Sequence, residues 1–191
     1  MKRLVIDTET TGLSPRINRT LTVGMLLVDV TEEFLNILDS HHIFIKHNNY
    51  NATPEAMAVN KINLEDHNNR AVPPQDACCE INNFIEKHNL SSTPLVGHNI
   101  SFDKGFLGAL FERGSTEQRF HWQSFDTMHI WNSLKRAGSV PYHLRANLQT
   151  VAGFFEIDYA GAHDALADCH ITAQVYHRML ELIRKKDSQV S

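Results

Sequence analysis

The chain has 191 residues, 42% hydrophobic and 21% charged, the make-up of a globular protein with one core of ordinary size. Its formal net charge of −4 argues against long non-specific tracking along a duplex, which needs a basic face. Three cysteines without CxxC spacing argue against a disulfide framework or structural zinc site, and no apolar run has the length of a membrane span or secretory signal, so the expected setting is cytoplasmic with no membrane partner.

In chain order, Leu4–Asp7 reads as a strand, "LTVGMLLVDV" (21–30) as a second and "HHIFIK" (41–46) as a third, and their close spacing suggests an antiparallel meander. Thr53 and Pro54 form an N-cap and first-turn proline opening a short helix over "EAMAVN". Pro74 opens another through "CCEINNFIEKH". "PLVGHN" is a short strand leading into "ISFDKGFLGALFERG", a helix stopped by Gly114. Phe125-Asp126 closes a further strand, a helix follows to Gly138, Asn147–Phe155 has helical pattern, and the last helix runs from about Asp164 to Lys185. Strands first and helices alternating with strands afterwards predict an α/β sheet with helices packed on it. No linker interrupts residues 1–184, which read as one domain, with 185–191 a short polar tail.

Several carboxylates in this pattern fall where a core should be. Asp7 and Glu9 are two apart and share one side of a strand. Asp103 has Phe106, Leu107 and Leu110 on its helix face, and Asp168 has Ile171 and Val175. Burying one unpaired carboxylate costs several kcal/mol, roughly, after relaxation. No Lys or Arg shares these faces in an obvious way, whereas hard divalent cations accept oxygen ligands. Two such ions about 3.5–4 Å apart make the clamp used in phosphodiester hydrolysis. Taken singly, each Asp also fits a helix cap or a solvated strand edge. Lys135, Arg136, Arg145, Arg184, Lys185 and Lys186 offer phosphate contacts or, equally, a solvated helix surface.

The stretches "IDTETTGL", "GHNISFD" and "HDALADC" resemble, in order, the three motifs of the DEDDh (DnaQ-like) 3′–5′ exonucleases, with exonuclease X-like and proofreading-subunit-like members nearest in pattern. The resemblance implies a ribonuclease H-like fold, a central five-stranded mixed sheet flanked by helices. It implies that Asp7, Glu9, Asp103 and Asp168 bind two Mg²⁺ or Mn²⁺ ions, with His163 as general base, since the tyrosine of the sister group would fall at Asp164. It places Thr10, Thr11, Gly12 and Leu13 around the terminal nucleotide, with Gly12 admitting a close backbone approach and Leu13 either wedging between bases or packing inward. His98 and Asn99 precede the third carboxylate, with His98 placed to touch phosphate or sugar; Phe102 either stacks on a base or fills core; Met57 and Ile62 line the pocket's other side. Asp126 falls at a secondary acidic position that supports the site. The chain departs from the family's V-H-G-I pattern at Val59-Asn60-Lys61-Ile62, and carries Thr22 where many members have Glu.

The activity implied is metal-dependent hydrolysis at 3′ ends of single-stranded or frayed nucleic acid, DNA favoured, releasing nucleoside 5′-monophosphates. Alternatives are an RNA-trimming exoribonuclease like ribonuclease T or oligoribonuclease, and a polymerase proofreading subunit. The partners implied are single-stranded DNA or RNA 3′ ends, the nucleoside monophosphate product, and a polymerase or second copy of the chain.

Overall fold

The apolar runs assemble into one five-stranded mixed sheet. The computed structural model describes residues 1–161 and 163–190, with side chains through 185 in the last helix. Strands β1 (Lys2–Thr10), β2 (Thr20–Val30) and β3 (Leu35–Phe44) form the antiparallel meander; β4 (Leu95–Gly97) and β5 (Ser124–Asp126) extend the sheet in parallel beyond β1, giving the order β3-β2-β1-β4-β5.

Around the sheet lie α1 (Pro54–Asn60), α2 (Leu64–Asn68), α3 (Pro74–Lys87), α4 (Ile100–Arg113), α5 (Thr127–Arg136), α6 (Leu148–Phe154) and α7 (Ala165–Val190). Local chemistry explains their starts. The Thr53 hydroxyl accepts from the Ala56 N–H at 3.3 Å, and the Asn147 side chain accepts from the Thr150 N–H at 3.0 Å. Sequence pattern alone did not show α2, which Asn63 caps by accepting from the N–H groups of Glu65 and Asp66. β3 begins earlier than its alternating segment, because "LNILDS" pairs with β2 as the polar outer edge of the sheet. α7 continues past Lys185 to Val190, with no Gly or Pro to interrupt it; Ser191, the end of the expected tail, lies outside the described residues.

Alternation along the strands divides the core. On one face Leu4, Ile6, Val23, Met25 and Leu27 pack against α3 and α4 through Ile81, Ile85, Leu107 and Leu110. On the other, Val5, Leu26, Val28 and Val96 pack against Cys169, Ala173 and Tyr176 of α7. The outer side of α7 is covered in turn by Trp131 of α5 and Val151 of α6. Transfer of this much apolar area, at about 25 cal/mol per Å², supplies the main favourable term of folding.

Two irregularities prepare the site. β4 pairs with β1 only at Leu4 and Val5, so β1 runs on from Asp7 to Thr10 without a neighbour on that side. Across the other ladder Asp7 stands opposite Gly24. A Cβ at Gly24 would come within 2.4 Å of the Ala165 carbonyl, so glycine is what lets the first turn of α7 descend onto the sheet beside Asp7.

Candidate active site

The residues of β1 that face α7 are Val5, then Asp7 and Glu9. Asp7, Glu9 and Asp168, the last from the first turn of α7, offer carboxylate oxygens that all lie within 4.8 Å of one another. Asp103 comes from the opposite layer. α4 packs on the other sheet face, and the hydroxyl of Thr8, which points to that face, donates to Asp103 Oδ1 at 2.7 Å. The gap left where β4 stops brings the start of α4 to the edge of β1. The two layers therefore converge on one short stretch of strand.

The electrostatics are those of crowded like charges in a dry place. Burial, then the charges of Asp103, Asp168 and Glu9, pushes the Asp7 carboxyl well above its ordinary value. Glu9 is pushed up to about 8 by burial and then by Asp168. Burial raises Asp103 to about 7, against the Thr8 hydrogen bond, and raises Asp168 as well. No ion pair among the described residues involves any of these four. Asp168 Oδ1 is buried with no hydrogen-bond partner. An orphaned carboxylate oxygen inside a set of three converging oxygen donors, with no cation to neutralise it, fits a hard divalent ion, and nothing in the donor set favours a soft one.

His163 sits on the loop before α7. Its backbone is left-handed, with φ +72°, following Gly161 at φ +83°. Its N–H lies 3.4 Å from Asp168 Oδ2, and its side chain is exposed. The next residue, Asp164, caps α7 by accepting from the N–H groups of Leu166 and Ala167. The turn that fixes Asp168 thus also sets the histidine at the cluster's rim. Tyr159 stands perpendicular to the His163 ring, with centroids 6.4 Å apart. Its hydroxyl is raised above its ordinary pKa by burial and then by Asp168, Asp7 and Glu9, which places it beside the carboxylates. Sequence reading missed both Tyr159 and Thr8. A lone loop aromatic has no periodicity, and Thr8 reads as an ordinary strand residue.

The flanking residues divide. Leu13 is 84% exposed, so of the two readings the inward-packed one is corrected: the side chain stands in solvent beside the site. Met57 and Ile62 are half-buried on and after α1. Phe102 is half-buried against Phe106, centroids 4.8 Å apart. The threonines are turned inward. Thr10 donates to the Gly12 carbonyl at 2.8 Å, and Thr11 to the Tyr50 carbonyl at 2.8 Å. Their hydroxyls are engaged inside the protein. Gly12 is itself buried, and a Cβ there would meet the Asn18 side chain at 2.5 Å, so internal packing calls for glycine at this position.

His98 also differs from expectation. Burial holds its pKa below the ordinary value. Nε2 donates to the Ala146 carbonyl at 2.8 Å, and Nδ1 lies 2.9 Å from the Thr127 hydroxyl, which also donates to the Gly97 carbonyl at 3.1 Å. Both nitrogens are engaged within the protein, so the ring braces the chain instead of offering a nitrogen to phosphate or sugar. Asn99, exposed at φ +63°, opens α4, and its N–H donates to Asp126 Oδ1 at 3.0 Å. The same oxygen accepts from Met128 N–H. Asp126 therefore ties the starts of α4 and α5 together, the supporting place expected of it. Asn60, at the departure from the V-H-G-I pattern, donates to the Thr10 carbonyl at 3.1 Å. Lys61 follows with φ +56°, a conformation that favours the glycine of that pattern.

A family model described as "Exonuclease" (RNase_T) matches residues 4–176. Ribonuclease T of Shewanella oneidensis is 29% identical over 181 residues, covering 91% of this chain and 79% of that protein. Ribonuclease T of Klebsiella pneumoniae is 28% identical, covering 91% and 81%. Among solved structures, Escherichia coli exonuclease I in complex with a dT13 oligonucleotide superposes with a TM-score of 0.77 at 18% identity, over 98% of this chain and 43% of that one. A zinc-bound complex of that enzyme with single-stranded DNA gives 0.75 at 19%, over 97% and 40%. The chain thus spans less than half the length of exonuclease I, and that likeness is one of fold.

Proposed function

From the premise that this chain belongs to the exonuclease family whose model spans residues 4–176, we propose that it removes nucleotides singly from the 3′ ends of single-stranded or frayed DNA. The 3′–5′ exonuclease activity, a hydrolysis, is common ground with the family; the sugar and the ion are the finer reading. The observation that carries the metal-dependent hydrolysis is the convergence of Asp7, Glu9 and Asp168 within 4.8 Å, with no ion pair to any of them among the described residues.

Enzymes of this family depend on divalent metal, and we assign Asp7, Glu9, Asp103 and Asp168 as the residues that would hold Mg²⁺ or Mn²⁺. Bound there, the cations would acidify a water and offset charge on the scissile phosphate. The protein's own part is as follows. A ring nitrogen of His163 takes a proton from the attacking water, whose oxygen forms the new bond to phosphorus. The bond from phosphorus to the 3′-oxygen of the penultimate nucleotide breaks, that oxygen takes a proton from solvent, and the terminal unit departs as a nucleoside 5′-monophosphate. Tyr159 limits the swing of the His163 ring, and Thr8 fixes the rotamer of Asp103. Leu13 and Met57 flank the space for the terminal base.

A second reading, trimming of RNA 3′ ends, draws support from the ribonuclease T relatives. End-labelled single-stranded DNA and RNA of matched sequence, incubated with Mn²⁺, separate the two. Mononucleotide release favouring DNA is expected; faster release from RNA would move the reading to ribonuclease, and release from neither would overturn both.

A further inference from the structure

A cleft of about 570 Å³ opens at the sheet end that carries Glu9, where β2 begins and β3 ends. Arg19, Lys46, His47, Asn48, Asn68 and Arg113 line it, and no carboxylate does. In a chain of net charge −4 that concentration of cations is unexpected. None of Arg19, Lys46 and Arg113 takes part in an ion pair among the described residues.

The cations are also held close to one another. Arg113 Nη2 is fixed by donating to the Pro15 carbonyl at 2.7 Å, while its Nη1 is buried with no hydrogen-bond partner. Burial and then the neighbouring Arg19 charge hold that guanidinium below its ordinary pKa, against a smaller opposing pull from Glu112 outside the cleft lining. His47 is likewise held low, by burial first and then by Arg19 and Arg113, and it bonds the Thr20 carbonyl at 2.8 Å. Like charges held near one another beside open space make a receptor for an anion.

The cleft is near the carboxylates. The Thr11 N–H donates to the Arg19 carbonyl at 2.9 Å, and Thr11 is four residues beyond Asp7, within about 14 Å of it even for a fully extended chain. We propose that this cleft binds a backbone phosphate of the same strand whose 3′ end lies at the carboxylates, several nucleotides upstream of the cut. The inference rests on the exonuclease reading for its choice of strand, while the cleft itself stands on its own geometry.

Steady-state kinetics of the full chain on a dinucleotide and on a 12-nucleotide single strand, for wild type, Lys46→Ala and Arg19→Gln, tests this. Lys46→Ala removes a side chain with no hydrogen bond among the described residues, and thermal melts check folding. KM for the 12-mer should rise about fivefold with kcat held, as for loss of one partly screened phosphate contact. The dependence of log KM on log salt should flatten by about 0.7 per cation removed. The dinucleotide should be unaffected. Equal losses on both substrates, or no change on the 12-mer, would overturn the proposal. If wild type cleaves neither substrate the exonuclease reading fails, and anisotropy of a labelled 12-mer still reads the cleft: weaker binding by the variants supports it, unchanged binding overturns it. If inorganic phosphate alone raises the wild-type melting temperature, Lys46→Ala abolishes that rise, and 12-mer binding stays unmoved, the cleft serves a free anion and the strand proposal is wrong.

Discussion

The face of the sheet under α7 has two halves that differ in everything but geometry. In one, Val5, Leu26, Val28 and Val96 meet Cys169, Ala173 and Tyr176 in a dry apolar contact. In the other, reached by moving from Val5 to Asp7 along β1 and from Cys169 back to Asp168 on α7, Asp7, Glu9 and Asp168 stand within 4.8 Å of one another. The apolar half holds the helix to the strand. That attachment lets the acidic half keep charges together that would otherwise push apart. Stability and reactivity are neighbours on one surface, and the first restrains the second.

The strongest way to break this division is Asp7→Asn. It should lower exonuclease activity by at least about 10³-fold, measured on end-labelled DNA, and raise the melting temperature of the metal-free protein by relieving repulsion. A stable but active variant would remove Asp7 from the ligand set. His163→Ala should cost about 10² in kcat or more and leave the melting temperature alone, because the side chain is exposed. Near-wild-type turnover would end its role as base. On the apolar half, Leu26→Ala should cost about 2–5 kcal/mol by urea unfolding without moving kcat where the protein stays folded. Thr8→Val lies between the halves: it removes the 2.7 Å hydrogen bond to Asp103 and should lower activity about 10-fold with little loss of stability. Unchanged activity would show that Asp103 holds its position unaided.

The mildest test is pH. The Glu9 carboxyl is raised from an ordinary 4.5 to about 8 in the folded chain. Between those values the folded state holds a proton that the unfolded state has released, so folding stability falls as pH rises through that window. Asp103, raised from 3.8 to about 7, adds to the same slope over its own range. Melts of the metal-free protein from pH 4.5 to 8 should show the decline, and Mn²⁺ should flatten it. A rise in stability over that range would contradict this account of the cluster.

Much of this was legible in the residues. Strand alternation carried Asp7 and Glu9 to one face, the Thr53-Pro54 and Asn147 starts marked α1 and α6, and the ordered motifs brought Asp103, His163 and Asp168 into the argument. The misses have physical reasons. The Thr11 hydroxyl and the His98 nitrogens found partners in chain segments far away in sequence, which spacing cannot show. β3 extended through polar edge residues that carry no alternation signal. Tyr159 and Thr8 matter only through what stands across from them. The cations of the basic cleft come from the approach to β2, the exit of β3 and the end of α4, so no local charge run announces them.

Gly24 touches none of the carboxylates, yet it sets the depth at which α7 rests against β2, since even a methyl group there would strike the Ala165 carbonyl at 2.4 Å. The spacing between Asp168 and the pair on β1 is therefore fixed by an absent side chain on a neighbouring strand. The width of the space between these carboxylates is a property of backbone clearance, and one added methyl at position 24 would force it to change without altering a single carboxylate.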